Sequence, residues 1–354
     1  MRGDDLPQTS LLSYIDLEAR VPTDHPLRVI RHIFDHAFNS LERDFAKLYA
    51  TNGRPSIPPE QLLRALILQV LFAVRSERHL VEQLEYNLLF RWFVGLGIDD
   101  TIWHHSTFSK NRDRLLQFDI CDQLLQETLA QATQKKLLSR EHFSVDGTLL
   151  EAWASQKSFR HNDDDDQLPP GKNPDSRWNG TKRSNKTHHS RTDPDSRLAR
   201  KSKAAEAKLC YHGNIMIENR NGFVVAALAN IATGRAETEA LKPMLDQIPR
   251  NARSTVGCDK KYDQNEVCAT LRERQATPHI AARLQTVLDA RTTRHHGYHL
   301  SQRARKRVEE PFGWAKMYGN LHKLRHRGLR NVGQIFSLTM AVYNAVKLKN
   351  FELA

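Results

Sequence analysis

Three acidic positions stand out for the chemistry they could share. In HFSVDGTLLEAWAS (142–155), an apolar run with Phe143 and Val145 delivers Asp146 onto a glycine and then into Thr148–Leu149–Leu150. In STVGCDKKYD (254–263), Asp259 closes a second short apolar run. In RKRVEEPFGWAK (305–316), the neighbours Glu309 and Glu310 lie inside a basic helical stretch. Carboxylates on strand, strand and helix suit divalent cations such as Mg2+, which takes oxygen ligands and keeps several waters. Two such ions about 3.5–4 Å apart activate an attacking oxygen and stabilise a leaving one, the chemistry of phosphoryl transfer. Each aspartate also has a plainer reading as a turn cap at a strand end. Spacing cannot decide between the two, because the acids are far apart in the chain and only folding can unite them.

The surroundings of these acids are basic. The 354 residues include 53 Lys and Arg against 41 Asp and Glu, a net charge of +12. Residues 291–330, which surround the glutamate pair, hold 11 Lys or Arg and 2 acids. Such an excess favours a polyanionic partner through phosphate contacts and counterion release, so nucleic acid is the expected substrate class. Cys121, Cys210, Cys258 and Cys268 are scattered without a CxxC pair, which argues against a zinc site or disulfide framework and fits a reducing cytoplasm. The N-terminal MRGDDLPQTSLLSYIDLE has no apolar core segment of the secretory type. The most apolar run, LLRALILQVLFAV (62–74), is interrupted by Arg64 and Gln69 and is too short to span a bilayer, so no membrane association is expected.

Residues 24–130 read as helices. Pro58 and Pro59 precede an apolar periodic run, Ser76 is placed to cap SERHLVEQLEYN, and Gly95 and Gly97 close LLFRWFVGLG. Ser106 or Thr107 then opens TFSKNRDRLLQFD. Short helices joined by tight turns and ending in a charged helix fit a helix-turn-helix-like DNA-binding region, with an ordinary helical bundle as the alternative. Lys110, Arg112 and Arg114 are its candidate phosphate contacts. The second half opens with a strand at 141–150. Residues 160–206 are almost devoid of apolar side chains and cannot fold alone, so they form an insertion that orders on DNA or against the core. The acidic run Asp163–Asp166 reads as a solvated tract. Alternation on both sides of ENRNG (218–222) predicts a β-hairpin. Helix, strand, helix and strand follow, then one long helix, LSQRARKRVEEPFGWAKM, and an amphipathic C-terminal helix at 333–351.

The ordered motifs identify a family. GRPSIPPEQLLRALILQVLFAVRSERHLVEQLEYNLLFRWFVGL (53–96), STFSKNRDRL (106–115), HFSVDGTLLEAWASQKSF (142–159), TDPDSRLARKSK (192–203), ENRNG and the C-terminal helix together resemble the DDE transposases of bacterial insertion sequences, of the insertion-sequence-five type. The resemblance covers nearly the whole chain. It implies an α/β architecture: an all-helical N-terminal DNA-binding domain (1–135), a ribonuclease-H-like catalytic core (136–330) with the polar insertion at about 160–206, and a C-terminal helix (331–354).

The resemblance also implies an activity and a set of roles. The enzyme would bind terminal inverted repeats, cleave double-stranded DNA at the element ends and join the 3′-hydroxyls to target DNA. Mg2+ would be the cofactor, with Mn2+ as substitute. It would act as a homodimer or higher assembly on DNA, in the bacterial cytoplasm and associated with the nucleoid. The family signature Tyr-x2-Arg-x3-Glu-x6-Lys falls on Gln302, Arg305, Glu309 and Lys316, whereas alignment on Glu310 loses both Arg and Lys. The implied metal-binding and catalytic set is therefore Asp146, Asp259 and Glu309, with Arg305 and Lys316 on DNA phosphates. Gln302 departs from the signature tyrosine, and Tyr298 stands nearby. Lys261 stands where the family usually has glycine. Glu237 and Asp193 are candidate accessory acids of the site, with helix-start and loop positions as the expected reading, and the pairs His188–His189 and His295–His296 read as loop residues. Core packing is the expected role of Trp153 and Trp314, with base stacking as the alternative. A nuclease of the same fold without strand joining, or a silent DNA-binding derivative, are the rival readings.

Overall fold

The computed structural model describes residues 15–49, 56–162, 183–202, 204–249 and 254–353. Its first part is helical: α1 (Leu17–Arg20), α2 (Pro26–Ser40), α3 (Glu42–Leu48), α4 (Pro59–Leu71), α5 (Glu77–Tyr86), α6 (Leu88–Val94), α7 (His105–Leu116) and α8 (Ile120–Gln134). Local chemistry places the ends. Pro59 opens α4, where a missing N–H costs nothing. The Ser76 hydroxyl accepts the His79 N–H at 3.1 Å to cap α5. Gly95, at φ +90°, closes α6 in the left-handed conformation that favours glycine. Among the described residues no helix is long and apolar enough to cross a membrane.

The second part contains β1 (His142–Glu151), β2 (Phe159–His161), β3 (His188–Ser190), β4 (Arg197–Ala199), β5 (Lys208–Glu218) and β6 (Val224–Ile231). It continues through α9 (Ala236–Asp246), β7 (Thr255–Cys258), α10 (Asn265–Glu273), β8 (Thr277–Ile280), α11 (Ala290–Arg294), α12 (His296–Ala304), α13 (Glu309–Met317) and α14 (Leu329–Glu352). Across the main sheet the order is β6-β5-β1-β7-β8, with β4 also pairing with β5. β5 runs antiparallel to β1 and β6, while β1, β7 and β8 are parallel. A hairpin followed by parallel strands inserted beyond the first strand is the ribonuclease-H-like arrangement. The expected hairpin is β5–β6. The buried Glu218 carboxylate holds its turn by accepting the N–H groups of Arg220 at 3.0 Å, Asn221 at 2.8 Å and Phe223 at 3.3 Å.

Part of the polar insertion is ordered against the core. β2 and β3 form a separate ribbon. After it, Asp193 accepts the Tyr211 hydroxyl at 2.5 Å and the Gly328 N–H at 3.1 Å. Asp195 accepts the Leu329 N–H at 2.8 Å, which puts a carboxylate at the first turn of α14. Asp193 is thus a brace between insertion, sheet and last helix. The acidic run Asp163–Asp166 lies outside the described residues.

Two elements differ from the sequence expectation. The long helix expected at 300–317 is split into α12 and α13 by a 3-10 turn, Arg305–Val308. Pro311 accounts for the break, since its ring excludes the carbonyl of Arg307 from an ordinary helical bond. The last helix is not amphipathic over its length: every residue from Gln334 to Ala345 in α14 is buried. It packs on α2 and α8 on one side and on β6 on the other, so the stretch from Gln334 to Ala345 keeps no solvent face. Its two buried amides are satisfied accordingly. Asn344 exchanges two hydrogen bonds with the Val224 backbone, both 2.9 Å. Gln334 donates to Asp122 at 2.6 Å and accepts the Cys121 N–H at 3.0 Å.

Candidate active site

Strand register brings the two aspartates together. β1 and β7 pair in parallel up to Ser144 and Gly257. Two residues further on lie Asp146, within β1, and Asp259, just past the end of β7 in extended backbone, so the two stand side by side and face the same cleft. Buried Phe143 and Val145 anchor β1, and Val256 and Cys258 anchor β7. Neither aspartate behaves as a simple turn cap. Asp259 precedes a 3-10 turn, Lys260–Tyr262, without capping it through its side chain. Its carboxylate has no hydrogen-bond partner among the described residues. Asp146 accepts the adjacent Gly147 N–H at 2.8 Å.

The segment from the 3-10 turn into α13 crosses this point. Arg305 reaches to 3.8 Å from the Asp146 carboxylate. Lys316 donates to the Thr148 hydroxyl at 2.6 Å, two residues along β1 on the face that carries Asp146. Burial raises the Asp146 carboxyl above the ordinary carboxylate range; the Gly147 N–H and Arg305 oppose the shift, while Glu237 and Asp259 reinforce it. Burial, with Lys201 nearby, lowers Lys316.

The resulting cleft, of about 580 Å³, is lined by Asp146, Asp259, Glu237, Lys261, Lys316 and Lys201 among others. Glu309 does not line it. It stands exposed at the start of α13, four residues after Arg305 and seven before Lys316, with no hydrogen bond or ion pair among the described residues. Glu310 is turned to α14, where it pairs with Lys347 at 3.1 Å.

Among the described residues no three His, Cys, Asp or Glu side chains are gathered into a ready metal cage. The paired aspartates nevertheless fit Mg2+, which is commonly held by one or two carboxylates, waters and substrate phosphates. The Asp259 oxygens are unpartnered, and the donor set is all oxygen.

Glu237, a candidate accessory acid expected at a helix start, is in the first turn of α9. Folding adds a place in the cleft wall that its position in the chain does not signal. Its Oε1 lies 3.1 Å from His212 Nε2 and 2.9 Å from Lys261 Nζ. Burial pushes its carboxyl up, but the hydrogen bonds from His212 and Lys261 outweigh this and hold it below its ordinary value. His212 fits only because Gly147 has no side chain, since a Cβ there would fall 2.3 Å from the His212 ring. Glycine after Asp146 was the available signal for this close approach.

The remaining candidates are dispersed. On α7, Lys110 and Arg114 are exposed, and the Arg114 guanidinium lies over the Tyr49 ring at 5.3 Å. Arg112 is turned inward, paired with Glu77 and, at 2.7 Å, with Asp113. Tyr298 is buried and locks the end of β8, donating to the Ile280 carbonyl at 2.9 Å and accepting the Ala282 N–H at 3.2 Å. Trp314 packs against Tyr343 and Tyr318. Trp153 is 39% exposed, with Arg325 over its ring at 5.2 Å.

Two family models match the sequence. Residues 15–114 match the family described as "Transposase domain (DUF772)", and residues 138–345 match "Transposase DDE domain". No curated protein matches the chain. Among solved structures, the piggyBac transposase synaptic complex with hairpin DNA is similar at 9% identity over 93% of this chain and 76% of that one, with a TM-score of 0.43. The Mos1 strand transfer complex is similar at 13% identity over 88% and 84%, with a TM-score of 0.24. At these scores the assignment rests on the sequence models. The DDE match runs over more than half of the residues and spans both aspartates, and on that basis the chain belongs to the DDE transposase family, enzymes of DNA transposition.

Proposed function

We propose that the cleft at Asp146 and Asp259 cleaves double-stranded DNA at the terminal inverted repeats of an insertion sequence and joins the freed 3′-hydroxyls to target DNA. The observation that carries this reading is the adjacency of the two aspartates at the end of paired β1 and β7. Asp146 and Asp259 would hold Mg2+, or Mn2+ in its place, with Glu309 supplied from α13. The bound ion would polarise the phosphate and the attacking oxygen. Arg305 orients the Asp146 carboxylate. Lys316, fixed on Thr148, presents an ammonium to the DNA backbone as it enters the cleft. The helical region at 15–135 holds the terminal repeat, with Lys110 and Arg114 on phosphates and Arg112 bracing α7 from behind. Two ends need two active sites, so the working form is a homodimer or larger. The setting proposed is the bacterial cytoplasm, on the nucleoid, and the type that of insertion sequence five.

The test is a strand-transfer assay on a pre-nicked duplex bearing the element end, with Mg2+. Wild-type protein should join the end to a second duplex. Asp146→Asn and Asp259→Asn should not, while still shifting the duplex on a gel. Joining by either variant would put the site elsewhere, and cutting without joining would favour the nuclease reading.

A further inference from the structure

Lys261 is the feature of the cleft that the family pattern leaves unexplained. It stands two residues after Asp259, on the 3-10 turn, where glycine is usual. Its side chain is 69% exposed, yet its ammonium is held at 2.9 Å by Glu237, whose side chain is only 12% exposed. Glu237 is held in turn by His212 at 3.1 Å, and His212 by Asn214 at 3.0 Å. His212 and Asn214 belong to β5, in the middle of the sheet. An exposed lysine on one carboxylate contributes little to stability, because solvent screens the pair. Anchoring of this depth has a different consequence: it fixes where the ammonium stands. A lysine that is already ordered loses less side-chain entropy when it binds a phosphate. Lys316 reaches the same cleft from α13 and Lys201 also lines it, so three ammonium groups flank the space in front of the aspartates.

We propose that Lys261 is a DNA-backbone contact of the cleft, binding a phosphate beside the reacting strand, and that Glu237 is the positioning residue that holds it there. This rests on the reading of the cleft as the site of DNA cleavage and joining. In binding the phosphate Glu237 acts through Lys261, so the two substitutions must not add in DNA affinity. A purely structural role for Glu237 would affect folding and leave that coupling absent.

The experiment measures binding of a fluorescently labelled nicked duplex by anisotropy across a salt series, with Ca2+ replacing Mg2+. Lys261→Met should weaken binding about fivefold and reduce the salt slope by about 1, the signature of one lost phosphate contact. Glu237→Gln should weaken binding by a smaller factor. The double variant should match Lys261→Met alone. Unchanged binding by Lys261→Met would overturn the proposal, as would additive losses or tighter binding by Glu237→Gln. Thermal unfolding of each variant separates these outcomes from misfolding. Asp146→Asn serves as the reference for the underlying reading: if it still cleaves DNA, that reading fails whatever Lys261 does. If it is inactive and Lys261→Met binds normally, only the present proposal fails.

Discussion

Glu310 pairs with Lys347 of α14 at 3.1 Å, which turns the acid beside it, Glu309, in a different direction. Successive helical residues diverge by about 100°, so only one of the two can serve the cleft. On the proposed reading α13 supplies Glu309 to the metal, so Glu309→Gln should cut DNA cleavage by at least about 100-fold, the effect of removing a carboxylate from a metal-dependent site. Glu310→Gln should change the rate by less than about twofold and stability by under about 1 kcal/mol, since its solvent-screened pair is half exposed. Parallel cleavage assays check this, and the reverse order would move the assignment by one residue.

Glu218 makes a second, purely structural prediction. It is fully buried and accepts N–H groups from Arg220, Asn221 and Phe223. Glu218→Ala should lower the unfolding free energy by about 3 kcal/mol or more, because buried donors lose a charged acceptor. Urea unfolding measures this, and a loss below about 1 kcal/mol would mean water replaces the carboxylate.

Glu237 sets a pH dependence. Its carboxyl is held below its ordinary value of 4.5 by His212 and Lys261 against the cost of burial. A lowered folded-state value means that the charged form stabilises the fold. That contribution is fully present above the unfolded-state value and is lost as pH falls through the folded one. The stability gap between wild type and Glu237→Gln, measured in EDTA, should thus be largest near neutrality and shrink below about pH 4.5. A gap that widens in acid would contradict the assignment.

The charged helix α7 divides by function. Lys110 and Arg114 are exposed, whereas the Arg112 side chain is 13% exposed and paired with Glu77. Replacing Lys110 and Arg114 by alanine should lower the salt slope of DNA binding by about 2, one for each phosphate contact. Arg112→Ala should leave the slope unchanged and destabilise the protein by about 3 kcal/mol, because it strands a largely buried carboxylate. Salt titrations and melting curves on the same preparations distinguish the two classes.

Much of the architecture was legible in the chain because it depends on local pattern. Ser76 and Gly95 mark helix ends through their own backbone chemistry, and ENRNG marks the β5–β6 turn. The same logic failed where a partner far along the chain decides the outcome. The C-terminal run looked amphipathic because Gln334, Asn344 and Thr339 are polar. All three are buried and bonded, two of them to residues more than a hundred positions away. The break between α12 and α13 follows from Pro311, a local signal outweighed by the helical look of the whole stretch.

By itself the sequence determined the chemistry available: acids next to short apolar runs, a basic surplus around Glu309, and motifs that identify the family. These are properties of residue type and short-range order, and folding does not change them. Tertiary structure alone decided which groups meet. The parallel register of β1 and β7 sets Asp146 beside Asp259. The packing of α9 against the sheet brings Glu237 to His212 and Lys261, and the fold turns Arg112 inward while leaving Lys110 and Arg114 outside. Such contacts join residues that no local spacing relates, because they depend on strand register and on which helix face is buried.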